Sequence, residues 1–191
     1  MSIAEAQRDV RRVYAGGFYG QLVSGAVWLV AAAAATWFAP PAAVATLFFG
    51  GMLIFPLTTL VIRLSGRPSS LPAGHPMAPL AMQIAFTVPI GFVVVVAMLD
   101  GRTELFFPAG MVIVGAHYLP FVFLYGMRLF AVLSAALVVP GILLLFGLPV
   151  PSSVGGWFTG ALLVAFAFLL RASARSLGSG TSEAATHRGL A

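Results

Sequence analysis

The chain contains no cysteine and no lysine, and only five of its 191 residues are acidic. Each absence excludes something. Without cysteine there is no disulfide, no thiol nucleophile, no thiolate-held metal and no palmitoyl or lipoprotein anchor. None of the five acids (Glu5, Asp9, Asp100, Glu104, Glu183) lies deep in an apolar run, which argues against a carboxylate site coupled to protons or sodium. Charged residues make up 8% of the chain against 60% hydrophobic, with a mean hydropathy of +1.03. That balance excludes a soluble globular domain.

What fills the chain instead is six long apolar runs, at about 14–38, 42–62, 77–99, 105–125, 129–147 and 153–170. A helix needs about 20 apolar residues to cross about 30 Å of hydrocarbon. The expected fold is all-α: a single six-helix transmembrane domain over 1–172, arranged as three hairpins. The first run follows arginines and ends in alanines, like a signal peptide, but it is too long for a cleaved apolar region and is read as retained. MSIAEAQRDV at the start can form a short amphipathic surface helix. The tail over 173–191, rich in small polar residues, is expected to be disordered.

The arginines give the orientation. Arg8, Arg11 and Arg12 precede the first run, Arg63 and Arg67 follow the second, Arg128 follows the fourth, and Arg171, Arg175 and Arg188 follow the sixth. Nine of the ten therefore fall on one side, and only Arg102 on the other. Because positive charge resists translocation, both termini are expected in the cytoplasm. The absence of lysine together with abundant alanine points to a GC-rich bacterial genome, and hence to a bacterial inner membrane. A formal net charge of +5 raises nucleic acid as a partner. Arginines placed at membrane edges, meeting anionic headgroups, account for it better. The expected surroundings are the lipid bilayer, and no nucleic acid.

Polar side chains inside the runs are few, and their depth is informative. Gln21, Thr58, Thr59, Gln83, Tyr118 and Ser134 fall in the inward half; Ser24 and Thr87 lie near the midplane. His117, just inward of centre, is the one readily titratable group at depth. Polar groups in hydrocarbon must face one another or water. The arrangement expected is a cytoplasm-facing polar cavity around His117, with Gln21, Gln83, Tyr118, Ser24, Thr58, Thr59 and Thr87 lining it. Pro56, Pro89, Pro120 and Pro140 sit within four runs, each freeing a backbone carbonyl one turn earlier and kinking its helix. Gly16, Gly20 and Ser24 along the first run, and Gly156 and Gly160 along the sixth, offer small faces for close packing. Those faces serve either packing within the chain or contact between copies in a homo-oligomer. A faint echo of Leu47-Phe48-Phe49-Gly50-Gly51-Met52 in Leu105-Phe106-Phe107-Pro108-Ala109-Gly110-Met111 is a candidate hairpin repeat.

Catalysis fares poorly. Ser24 and His117 are the only conceivable nucleophile and base, with no third group to orient them. One intramembrane histidine with neither cysteine nor buried acid makes no metal site, and no cofactor is implied. His75 and His187, in loop and tail, read as solvated surface. The chain is expected not to be an enzyme.

The run Gly115-Ala116-His117-Tyr118-Leu119-Pro120-Phe121, followed by Leu124-Tyr125-Gly126-Met127-Arg128, resembles a stretch in small, uncharacterised multi-span bacterial inner-membrane proteins. The resemblance implies a membrane location and no activity. Two functions remain open on the residues themselves. One is a small transporter or channel-like protein moving a small molecule or ion past His117. The other is a non-enzymatic scaffold or accessory subunit that binds partner helices or lipid.

Overall fold

A computed structural model describes the backbone of residues 1–147, 151 and 153–188, and side chains as far as Gly178. The described residues form seven α-helices. A short helix α1 (Ile3–Val13) precedes six long ones: α2 (Phe18–Trp37), α3 (Pro40–Leu64), α4 (Ala78–Met98), α5 (Phe106–Tyr125), α6 (Leu129–Phe146) and α7 (Ser153–Arg188). Six stretches, one carried by each of α2–α7, are long and apolar enough to cross a bilayer. The chain is a multi-pass membrane protein.

The amphipathic N-terminal helix forms as the sequence suggests. Ser2 caps it, its side chain accepting from the Glu5 backbone N–H at 3.3 Å, while Glu5 Oε2 accepts from the Ser2 N–H at 2.7 Å. This reciprocal capping box satisfies two otherwise orphaned donors. Ala6, Val10 and Val13 are its buried face. The chain then breaks at Ala15–Gly17, where Gly16 (φ 69°) and Gly17 (φ 92°) adopt left-handed conformations that side chains with a Cβ rarely tolerate. The first spanning helix consequently starts at Phe18, and Gly16 is not on it.

Prolines at helix starts and interiors behave differently. Pro40 and Pro41, expected in a loop, occupy the first turn of α3, where a missing N–H costs nothing. Pro56, Pro89, Pro120 and Pro140 lie inside α3, α4, α5 and α6, and each helix continues through its proline. The loop expected at 148–151 lies outside the described residues except for Pro151. The tail differs from expectation: α7 does not give way to an irregular chain near Ser173 but runs as helix to Arg188. Once clear of hydrocarbon a helix needs no apolar period, and Ala, Ser and Arg carry it on.

Two groups of three helices emerge. α2 packs closely on α7 and on α3, and α5 packs closely on α6 and less so on α4. The first and last spans thus adjoin, while the successive pairs α3–α4 and α6–α7 touch only sparsely. Of the three expected hairpins, α2–α3 is tight, α4–α5 looser and α6–α7 barely packed. Closest approaches occur at glycines. A methyl placed on Gly25 would stand 2.8 Å from Val164 Cγ2 and 3.1 Å from the Gly160 carbonyl oxygen, and one on Gly160 would stand 2.6 Å from Leu29 Cγ. Between α5 and α6, a methyl on Gly115 would come within 2.6 Å of Val138 Cγ2. Bare glycine is what lets these backbones meet.

Aromatic packing runs along α5, joining it to the other group at Trp28 and binding its own group together elsewhere. Near one end Trp28 meets Phe107 (ring centroids 5.8 Å apart), and Phe106 touches both Phe107 and Phe92 at 5.7 Å. Towards the other, Tyr118, Phe121 and Tyr125 surround Phe130 at 6.2, 5.3 and 4.9 Å. α3 and α4 are peripheral, with Phe49, Leu53, Phe55, Phe86, Ile90 and Val94 all exposed and available to lipid.

Candidate functional site

The polar residues of the spans sort into separate small groups. On α5, whose successive side chains point about 100° apart, His117 and Tyr118 face different neighbours. Tyr118, buried, donates its hydroxyl to Gln21 Oε1 on α2 at 3.0 Å, with Ser24 as a second polar neighbour of that hydroxyl. His117 turns to α4, where its Nδ1 lies 2.9 Å from Thr87 Oγ1. Thr87 donates its one proton to the Ile84 carbonyl at 2.7 Å. Its oxygen is therefore left to accept, and Nδ1 of His117 carries hydrogen. His117 also lies against Phe121, ring centroids 4.8 Å apart.

The remaining expected lining residues do not converge on these two pairs. Gln83 is exposed on the outer side of α4. Thr59 donates to the Phe55 carbonyl of its own helix at 2.9 Å. Thr58 has a buried hydroxyl with no partner, its methyl lying where Gly20 approaches α3. The expected cavity residues are thus placed apart from one another. Gln21 and His117 are committed to different helix interfaces, and Gln83 to neither. The Tyr118–Phe121–Tyr125–Phe130 ring cluster occupies the part of the interior next to Tyr118.

Of the two uses the sequence left open for the glycine faces, packing within the chain is the one seen here. Gly16 packs on Ala174 and Leu170 of α7, Gly156 on Phe107 and Ala32, and Gly160 on Leu29. His75, read as solvated, is buried. Its Nδ1 accepts from the Met77 N–H at 3.2 Å, and its Nε2 lies 3.8 Å from Asp9 Oδ2 of α1. Among the described residues no group of three or more His, Asp or Glu could hold a metal ion.

A different site lies at the arginine-rich end. α1 is fastened beneath α5: Gln7 Nε2 donates to the Phe123 carbonyl at 2.6 Å, and Arg11 Nη1 to that of Tyr125. Both acceptors are last-turn carbonyls beyond the reach of the regular helical ladder, that of Phe123 also accepting from the Gly126 N–H at 3.3 Å. Gly126 closes α5 in a left-handed conformation (φ 62°), and a methyl there would stand 2.5 Å from Gln7 Oε1. The α3–α4 loop reaches the same helix through the His75–Asp9 contact and through Arg67 Nη2, which donates to the Arg12 carbonyl at 2.6 Å.

Between α1, that loop and α7 lies a cleft of about 420 Å³. Arg8, Arg11, Arg12, Arg67, Arg171 and Arg175 line it, with Ala15, Ala174 and Gly178 between them. Arg171 also stacks over the Phe18 ring, 4.5 Å from its centroid. Partial burial first, and the Arg8 charge second, lower Arg11 from its ordinary value. The local acids are engaged elsewhere, Asp9 beside His75 and Glu5 in its cap, where the Ser2 hydrogen bonds hold its carboxyl below the usual range. Among the described residues the one arginine–carboxylate pair is Arg102 with Glu104, outside this cleft.

Sequence reasoning used these arginines for orientation and missed their convergence. The signal was present. Arg8, Arg11 and Arg12 stand at i, i+3 and i+4, and Arg171 and Arg175 at i and i+4, so each set shares one helix face.

The sequence matches the family described as a family of unknown function, DUF7010, over residues 3–173, and the chain belongs to that family. No curated protein and no solved structure matches it.

Proposed function

We propose that this member of DUF7010 is a non-enzymatic accessory protein of the bacterial inner membrane, acting by binding rather than by passing a solute through its interior. The carrying observation is that the deepest polar groups, Tyr118 with Gln21 and His117 with Thr87, are bonded two by two at different helix interfaces, α2–α5 and α4–α5. A passage needs polar groups that converge on one path, whereas inter-helix pairs, the Tyr118–Gln21 bond buried and the His117–Thr87 bond at the edge of the bundle, are how a membrane bundle satisfies its donors and acceptors. The arginine-rich end is assigned to the cytoplasm by the positive-inside bias, which places both termini there.

Transport past His117 keeps one supporting observation. The His117–Thr87 contact ties α5 to α4, a peripheral helix with little burial of its own, and such a tie can open without unpacking the bundle. Single cysteines separate the readings, since the chain has none of its own. On the accessory reading a membrane-impermeant thiol reagent added from the cytoplasm leaves positions 21 and 117 unmodified while labelling position 8. Rapid labelling at both 21 and 117 would favour the transport reading and end this one.

A further inference from the structure

We propose that the six-arginine cleft is a binding site for a phosphate-bearing anion. Guanidinium groups of Arg8, Arg11, Arg12, Arg67, Arg171 and Arg175 converge on one space from three elements, α1, the α3–α4 loop and α7. Among the described residues none of the six forms an ion pair with a carboxylate, and the Glu5 carboxylate, which feels the Arg8 charge, is held in its cap. Like charges a few ångströms apart repel by about 1 kcal/mol in water and more beside a low-dielectric wall. A cluster of this kind is stable when a multivalent anion completes it.

The details favour phosphate over a lone carboxylate. Every cation is an arginine, whose planar fork binds phosphate oxygens in pairs. Arg67 Nε is buried in the wall without an acceptor, although its Nη2 is already satisfied by the Arg12 carbonyl. The side chains of Arg8, Arg12 and Arg175 make no hydrogen bond or ion pair among the described residues, so several forks remain open. A volume of about 420 Å³ falls in the range of small-molecule sites, about 300–1,000 Å³. It therefore holds a phosphoryl group together with the molecule carrying it. The cleft also sits where α2 and α7 leave the hydrocarbon. Arg171 lies over Phe18, and Phe18 packs edge-on against the exposed Phe168 ring at 5.4 Å. That position suits a phosphate delivered on a lipid headgroup or free in the cytoplasm.

The site is prebuilt. Four ties, from Gln7, Asp9, Arg11 and Arg67, already hold α1 and the α3–α4 loop in place, so a ligand does not have to order them. It also stands apart from how the interior is used, and its test touches neither Gln21 nor His117.

The experiment takes the full-length protein in two settings. In neutral detergent the soluble probe is inorganic pyrophosphate. In nanodiscs the lipid probe is phosphatidic acid diluted into phosphatidylcholine, with phosphatidylcholine alone as reference. Binding is read by native mass spectrometry and by the shift in thermal midpoint. The test variant is Arg8→Gln/Arg175→Gln. The matched control is Arg128→Gln, an exposed arginine at the same end and outside the cleft. Each lost charged hydrogen bond weakens binding by about tenfold or more, so the double variant loses about a hundredfold and the control less than about twofold. Arg8→Lys/Arg175→Lys keeps the charge without the fork and falls between them. Without any anion, the Gln variant melts at or above wild type because repulsion is relieved, which separates lost binding from lost folding. Binding of phosphatidic acid alone identifies a headgroup site, and binding of pyrophosphate alone a soluble phosphate site; either supports the proposal. Equal losses in the Arg128 control and the cleft variant, or no binding of either probe, would overturn it.

Discussion

Tyr118 and Gln21 are the clearest case of a side-chain pair whose worth depends on both members. The tyrosine hydroxyl and the amide oxygen are buried together at 3.0 Å, so removing the hydroxyl leaves the amide oxygen stranded. Tyr118→Phe should cost about 1–3 kcal/mol, the penalty of an unsatisfied buried acceptor, rather than the smaller net worth of the bond. Gln21→Met on its own should cost less, because Ser24 remains as a polar neighbour of the hydroxyl. Combining the two should cost less than their sum, because the double variant strands nothing. Thermal midpoints of the three purified variants check this, and strict additivity would mean the two side chains act separately. The identities of these residues as significant polar groups were legible in the sequence; their partners were not. Hydropathy gives the depth of a residue along a helix. The spanning helices are apolar on every side, so no amphipathic stripe says which way Gln83 or His117 turns. Gln83, exposed, and His117, bound to Thr87, have different fates for that reason.

At the level of helices, close packing is concentrated at a few glycines. Gly160 and Gly115 each face a neighbour that an added methyl would approach to 2.6 Å, whereas Gly51 faces open space within 4 Å. Gly160→Ala and Gly115→Ala should each destabilise by about 1–3 kcal/mol through overpacking. Gly51→Ala should be neutral or slightly stabilising, since alanine is the better helix former by about 1 kcal/mol. Loss of thermal midpoint in the first two but not the third checks the assignment. All six spans were legible at this scale because length and composition suffice, and most of their limits agree with the sequence reading to within a few residues. Two boundaries were not. α2 begins late because Gly16 and Gly17 turn left-handed, a backbone state invisible to hydropathy. α7 ends late because the end of an apolar run marks the end of the hydrocarbon, not of the helix.

For the whole molecule, the asymmetric placement of arginine makes orientation a charge-controlled property. Moving arginines into Asp100–Glu104 while replacing Arg63 and Arg67 with glutamine should give mixed insertion, read by reporter fusions at the C-terminus that work on only one side of the membrane. A uniform orientation in that variant would show that the remaining arginines of α1 and α7 suffice by themselves. The pairing of α2 with α7 has a temporal consequence as well. A ribosome delivers spans in order, so the glycine edge at Gly25 enters the membrane five spans before Val164 and Gly160, the residues it closes on. Contacts between distant parts of a chain form late, and here the first span to be made, although α3 joins it next, is among the last to complete its packing. Until synthesis reaches α7, that edge is open to membrane chaperones and to quality-control proteases. A chain stopped after α6 should be recognised by them as unfinished, although five of its six spans are in place.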